Sequence, residues 1–138
     1  MTRYILDTQA IVWFLEKNTR LPKDIREDIE YMQHEYYVSY LSFLEIDNLR
    51  KLGKIELPLT TEDILKQLND AYIGVYFGDL NDLKALDNLE MKTINKRTHG
   101  DYVDRFIVAL SISKRHTCIS SDKKFPHYRE NGLSLLEI

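Results

Sequence analysis

Five short apolar runs alternate with helical segments along this chain, and that alternation constrains the fold more than any other feature. RYIL (3–6), EYYVSY (35–40), GVYFG (74–78), TCIS (117–120) and LSLLEI (133–138) have the length and the β-branched and aromatic content of strands. In TQAIVWFLEK (8–17), Ile11, Val12, Phe14 and Leu15 recur at helical spacing. LPKDIREDIEYMQ (21–33) is predicted as a helix with Pro22 in its first turn, and SFLEIDNLRKLG (42–53) as a helix that stops at Gly53. A bend at Pro58 precedes three more predicted helices, TTEDILKQLNDAY (60–72), LNDLKALDNLE (80–90) and DYVDRFIVALSISKRH (101–116). MKTINKRTHG (91–100) reads as a loop, and DKKFPHY (122–128) as a turn or short helix. Strands alternating with helices imply an α/β fold whose central sheet is mostly parallel and covered by helices.

The chain has 138 residues, the size of one domain with a real core, and residues 1–138 are expected to form a single unit. The opening MTRYILDTQAIVWFLEK has an acid inside its apolar run and no small-residue cleavage site, so it does not read as a signal peptide. No apolar stretch approaches the roughly 20 residues that span a bilayer, so no membrane partner is expected. A single cysteine, Cys118, sits in an apolar run and has no partner for an internal disulfide, which fits a reducing cytoplasm. The net charge of −3 and pI of 5.8 argue against a broad basic nucleic-acid surface.

Chemistry in a parallel sheet gathers beyond the carboxyl ends of the strands, and four acids fall at such points. Asp7 ends the first strand, Glu45 is placed in the first turn after EYYVSY, Asp104 in the first turn of DYVDRFIVAL, and Asp122 after TCIS. Each has a purely structural explanation. Asp7 and Asp122 suit helix N-caps, Ser42 and Glu45 a capping box, and Asp101 with Asp104 a cap and a first-turn acid. Their coincidence at one sheet edge has a further consequence. Clustered carboxylates repel and hold protons at neutral pH unless a cation relieves them. Oxygen ligands alone, without a zinc-spaced Cys/His cluster, favour Mg²⁺ or Mn²⁺. The chemistry that fits is in-line phosphodiester hydrolysis assisted by one or two metals.

Three blocks then carry a resemblance. ILDTQAIVWFL (5–15), VSYLSFLEIDNLRKLGKIELPL (38–59) and HGDYVDRFIVALSISKRHTCISSDKKF (99–125) resemble, in order, the three acid-bearing blocks of PIN-domain proteins of the VapC toxin family. The resemblance implies a three-layer α/β/α fold with Asp7, Glu45, Asp104 and Asp122 forming a metal site, Asp7 and Asp104 most directly. Asp101 is implied as a supplementary acid. It further implies an endoribonuclease acting on RNA, commonly a dimer, silenced by a cognate antitoxin protein of a type II toxin–antitoxin pair. This chain departs from the family pattern at Gly100-Asp101-Tyr102-Val103, where Pro and Phe are usual, at Leu44 in place of a tryptophan, and at Gln9 in place of a histidine. The acids are spared.

Other residues divide between chemistry and scaffold. Thr8 fits either a hydroxyl steering a phosphate or a helix cap. For Ser120 and Ser121, capping is the stronger reading, for His99 a structural hydrogen bond, and for His116 a surface loop. Arg105 fits a contact to RNA phosphate or an ion pair on the helix surface, and Lys123 with Lys124, like Lys51 with Lys54, an RNA-backbone grip or simple solvation. Trp13 and Phe14 fit base stacking or the core, and the aromatic surface of the first two helices a dimer contact. Alternatives are a structure-specific DNA nuclease on the same site, a catalytically silent binding module, and phosphoryl transfer through an aspartyl phosphate at Asp7. Gln9 argues against the last, because the D-x-D pattern of such phosphatases is missing.

Overall fold

The computed structural model describes residues 1–138. Seven strands and six α-helices follow one another as β1 (Arg3–Leu6), α1 (Thr8–Glu16), α2 (Lys23–Glu30), β2 (Glu35–Ser39), α3 (Tyr40–Lys51), α4 (Thr61–Asp70), β3 (Gly74–Tyr76), α5 (Leu80–Asn88), β4 (Lys92–Ile94), β5 (Arg97–His99), α6 (Tyr102–Lys114), β6 (Thr117–Ser120) and β7 (Ser134–Glu137). A 3-10 helical segment covers Phe125–Asn131, between β6 and β7.

Five strands form one all-parallel sheet in the order β3-β2-β1-β6-β7. Its register pairs Leu6 with Val38 on one side and with Ile119 on the other. Alternate residues of a strand face opposite sides, and the core divides accordingly. Leu6, Val38 and Ile119 join a cluster with Ile11, Ile25, Ile46 and Ile64 from α1 to α4. Ile5 and Cys118 join the other cluster, with Phe106, Ile107 and Leu110 of α6 and Phe125 and Tyr128 of the 3-10 segment. Helix layers thus lie on both faces, the three-layer α/β/α arrangement expected. The chain runs from β1 outward to β2 and β3, then returns to β6 on the far side of β1. That reversal opens a crevice beyond the carboxyl ends of β1 and β6.

Three local expectations are corrected. Residues 91–100 are not a plain loop: β4 and β5 pair antiparallel, Lys92 opposite His99, around a turn in which Asn95 and Lys96 both have positive φ. Asn-Lys is not the usual two-residue hairpin signal, and the strands are only three residues long. Helix α3 starts at Tyr40, not Ser42, and Ser39 caps it by accepting the Leu41 N–H. Pro22 is the N-cap of α2 instead of a first-turn residue. The predicted stop at Gly53 stands: α3 ends at Lys51, and Gly53 takes φ +71, a conformation that a side chain would strain.

Candidate active site

Asp7 follows β1 directly and is buried, with its backbone N–H donating to the Ile119 carbonyl of β6 at 3.1 Å. Its side chain caps α1 by accepting the Ala10 N–H at 2.8 Å. The other carboxylate oxygen accepts the Ser120 hydroxyl at 2.5 Å, and Ser120 Oγ accepts in turn the Asp122 N–H at 3.0 Å. One buried serine at the end of β6 therefore ties two of the predicted acids together. The sequence alone favours capping for Ser120. Its position at the last place of the strand, facing β1 across the sheet, is the signal that points to the bridge.

Glu45 sits one turn deeper than expected, because α3 begins at Tyr40. The predicted Ser42–Glu45 capping box does not form. Ser42 is instead buried inside the helix, and its Oγ accepts the Thr8 hydroxyl at 3.0 Å. Thr8, the first residue of α1, is also buried and lies against the Glu45 carboxylate, partly offsetting its desolvation. Asp101 caps α6 by accepting the Asp104 N–H at 3.0 Å, as expected from the sequence. Asp122 holds the turn after β6 by accepting the Lys124 N–H at 2.9 Å. It stands before a 3-10 segment that begins at Phe125, so it is not the N-cap of an α-helix.

These groups share one cleft of about 280 Å³, lined by Asp7, Thr8, Glu45, Asp101, Asp104 and Asp122, with Lys124 at the same cleft. Carboxylate oxygens of Glu45, Asp101 and Asp104 come within 4.8 Å of one another. Crowding and burial act on proton affinity in the same sense. Desolvation, then the fields of Asp101, Asp122, Glu45 and Asp7, push Asp104 up to about 8. Desolvation also lifts Asp7 to about 6, against the opposing bonds from Ser120 and Ala10. Glu45 is raised as well, again mainly by burial. The nearest cation, Lys124, pairs with Asp122 at 3.6 Å from a half-exposed side chain. Asp7, Glu45 and Asp104 have no lysine or arginine partner among the ion pairs formed.

Such a donor set, all carboxylate oxygen with only Asp122 paired to a lysine, fits a hard divalent cation such as Mg²⁺ or Mn²⁺. Asp101 meets the Glu45–Asp104 pair more closely than a supplementary role required.

The remaining candidates fall outside this cleft. Arg105 donates to the Leu89 carbonyl at 2.5 Å, and its Nε is buried. The pair with Asp101 does not form, and the contact to the Leu89 carbonyl turns the half-buried guanidinium toward the end of α5. Lys123 is exposed and does not line the cleft, whereas Lys124 does. Lys51 pairs with Asp47 at 2.8 Å. His116 is buried, not a surface residue, with its Nε2 at 2.8 Å from the Tyr76 hydroxyl. Trp13 and Phe14 pack against the first core cluster. Exposed apolar side chains include Tyr31 and Met32 after α2, and Tyr40, Leu44, Phe77, Leu80 and Leu83 on α3 and around the start of α5, with Tyr40 and Phe77 5.1 Å apart. No helix is long and apolar enough to cross a membrane.

A parallel sheet between two helix layers, with a knot of carboxylates at its carboxyl edge, defines a three-layer α/β/α protein with an acidic cleft. The family model of the PIN domain matches residues 4–131, and the chain belongs to that family. No curated protein matches the sequence. Among solved structures, the fold is similar to a chain of the VapBC2 complex of Rickettsia felis bound to a DNA fragment from its promoter. That match has a TM-score of 0.69 at 15% identity and covers 99% of this chain and 98% of that one. A PilT N-terminus domain protein from the archaeon Sulfolobus solfataricus is similar at a TM-score of 0.55 and 12% identity, covering 99% of this chain and 87% of that one.

Proposed function

We propose that this protein is a Mg²⁺- or Mn²⁺-dependent endoribonuclease that hydrolyses RNA phosphodiesters, with Asp7, Glu45, Asp104 and Asp122 holding the metal and Asp101 assisting. The observation that carries the reading is the convergence of these acids in one cleft, with oxygens of Glu45, Asp101 and Asp104 within 4.8 Å of one another and only Asp122 paired to a lysine. Three of them stand above their ordinary proton affinity. A bound divalent ion supplies the positive charge that lets these carboxyls ionise together and polarises phosphate oxygen and water.

The chain's own residues do the rest. Ser120 and the Ala10 N–H hold both oxygens of Asp7 in place. The Asp101 cap fixes the first turn of α6 and so the departure point of Asp104. Lys124 supplies a local positive charge at the cleft for a phosphate on an otherwise acidic protein.

We further assign the protein to the toxin side of a type II toxin–antitoxin pair, with a cognate antitoxin as partner and a second copy of the chain as neighbour. Membership of the PIN family, the likeness to the VapBC2 complex and the exposed apolar side chains of α3 and α5 support this. The test incubates purified protein with RNA and with single-stranded and flapped DNA under Mn²⁺. Cleavage of RNA by the wild type and none by Asp104→Asn is expected. Cleavage of DNA alone refutes the ribonuclease, and wild-type protein that cuts neither and binds no Mn²⁺ is a silent PIN module.

A further inference from the structure

His99 ends the hairpin strand β5 and is buried beside the cleft, yet it lies outside the carboxylate set. Its Nδ1 is 2.6 Å from the hydroxyl of Tyr128, a fully buried residue of the 3-10 segment. Its Nε2 is 3.3 Å from Asp104 Oδ2. The direction of these bonds follows from the donors available. A metal-bound carboxylate has only acceptors to offer, so Asp104 Oδ2 takes its hydrogen from His99 Nε2. A neutral imidazole that donates from Nε2 accepts at Nδ1, where the Tyr128 hydroxyl is the donor.

We infer that His99, held in the Nε2–H tautomer by Tyr128, is a positioning residue that aims the Asp104 carboxylate at the divalent cation. The inference rests on the metal site proposed above. The hairpin β4–β5, which the sequence alone presents as a loop, then has a chemical role, because it delivers a rigid donor to the first turn of α6. A donor to Oδ2 leaves Oδ1 free for the cleft and restrains the carboxylate's rotation. Loss of such outer partners costs about 10–100-fold in metal affinity.

Two measurements test this. Mn²⁺ titration calorimetry is run on the wild type, His99→Gln, His99→Phe and Tyr128→Phe, with circular dichroism to establish that each is folded. Glutamine can place an amide N–H where Nε2–H stood, so His99→Gln is expected to bind within about threefold of wild type. His99→Phe is expected to lose about 10–100-fold, and Tyr128→Phe, which frees the tautomer but keeps the ring, less. Folded His99→Phe that binds as well as wild type overturns this role alone. Wild-type protein that binds no Mn²⁺ overturns the metal site and this role together. The second measurement needs no variant: with Mg²⁺ bound, the ring ¹⁵N shifts of His99 are expected to show a protonated Nε2 and a bare Nδ1, and the opposite tautomer overturns the relay.

Discussion

Replacing Asp104 by asparagine should make the metal-free protein more stable while removing its response to metal. The carboxyl of Asp104 is held at about 8 in the fold against 3.8 in the open chain. In the unfolded chain at pH 7 it ionises freely, whereas in the fold it stays protonated. The difference is worth about 1.4 kcal/mol per pH unit over the roughly three units between the open-chain value and neutrality, so it favours unfolding by about 4 kcal/mol at most. The side chain keeps 18% exposure and shares its field with four other acids, so part of that repulsion persists when asparagine replaces it. We expect a gain of about 2 kcal/mol, or roughly 6–10 °C in Tm for a domain of this size. Asparagine keeps an oxygen for the His99 Nε2–H and so should not disturb the hairpin. The assay is thermal melting in EDTA at about pH 7.5, repeated at about pH 5, where the gain should shrink. Saturating Mn²⁺ should then raise the wild-type Tm much more than that of Asp104→Asn. A variant that melts at or below wild type in EDTA, while natively folded, would show that the carboxylates do not strain one another.

The same linkage sets the pH dependence of the metal-free wild type. Asp7 and Asp104 are both raised, so their contribution is whole below about pH 4 and is lost as pH rises through about 6 and then about 8. Melting temperature should therefore fall between about pH 5 and 8.5 in EDTA, and Mn²⁺ should flatten the profile; a metal-free Tm that climbs across this window contradicts the sign. Ser120→Ala leaves the Asp122 N–H and one Asp7 oxygen without their partner. It should cost about 1–3 kcal/mol in urea unfolding and weaken Mn²⁺ binding, and an unchanged midpoint would deny the bridge any weight. Lys124→Ala should lower RNA affinity and the steepness of its salt dependence by about one counterion, whereas Lys123→Ala should change neither. Filter binding of Asp104→Asn protein with each lysine variant, at several salt concentrations, checks this.

What the sequence determined by itself was periodic or local. Short apolar and β-branched runs in RYIL and TCIS and helical spacing in TQAIVWFLEK placed the sheet and its covering helices, because burial selects for such runs and periods whatever the neighbours are. The acids at strand ends were legible for the same reason: β-strand termini can be counted along a chain, and a parallel sheet brings them to one edge. The caps at Asp7 and Asp101 are also local, spanning three residues each.

What only the tertiary structure decided involves partners far apart in sequence. Ser120 meets Asp7 across 113 residues, Thr8 meets Ser42 across 34, and His99 meets Tyr128 across 29. The hairpin at 92–99 lacks a turn motif strong enough to announce itself and is fixed by what its strands touch. Arg105 looked available because one-dimensional spacing carries no direction; its reach to the Leu89 carbonyl follows from where α5 ends against α6. The proton affinities of Asp7, Glu45 and Asp104 belong here too. Desolvation and mutual repulsion depend on three-dimensional burial and distance, and no property of an aspartate's position in the chain encodes either one.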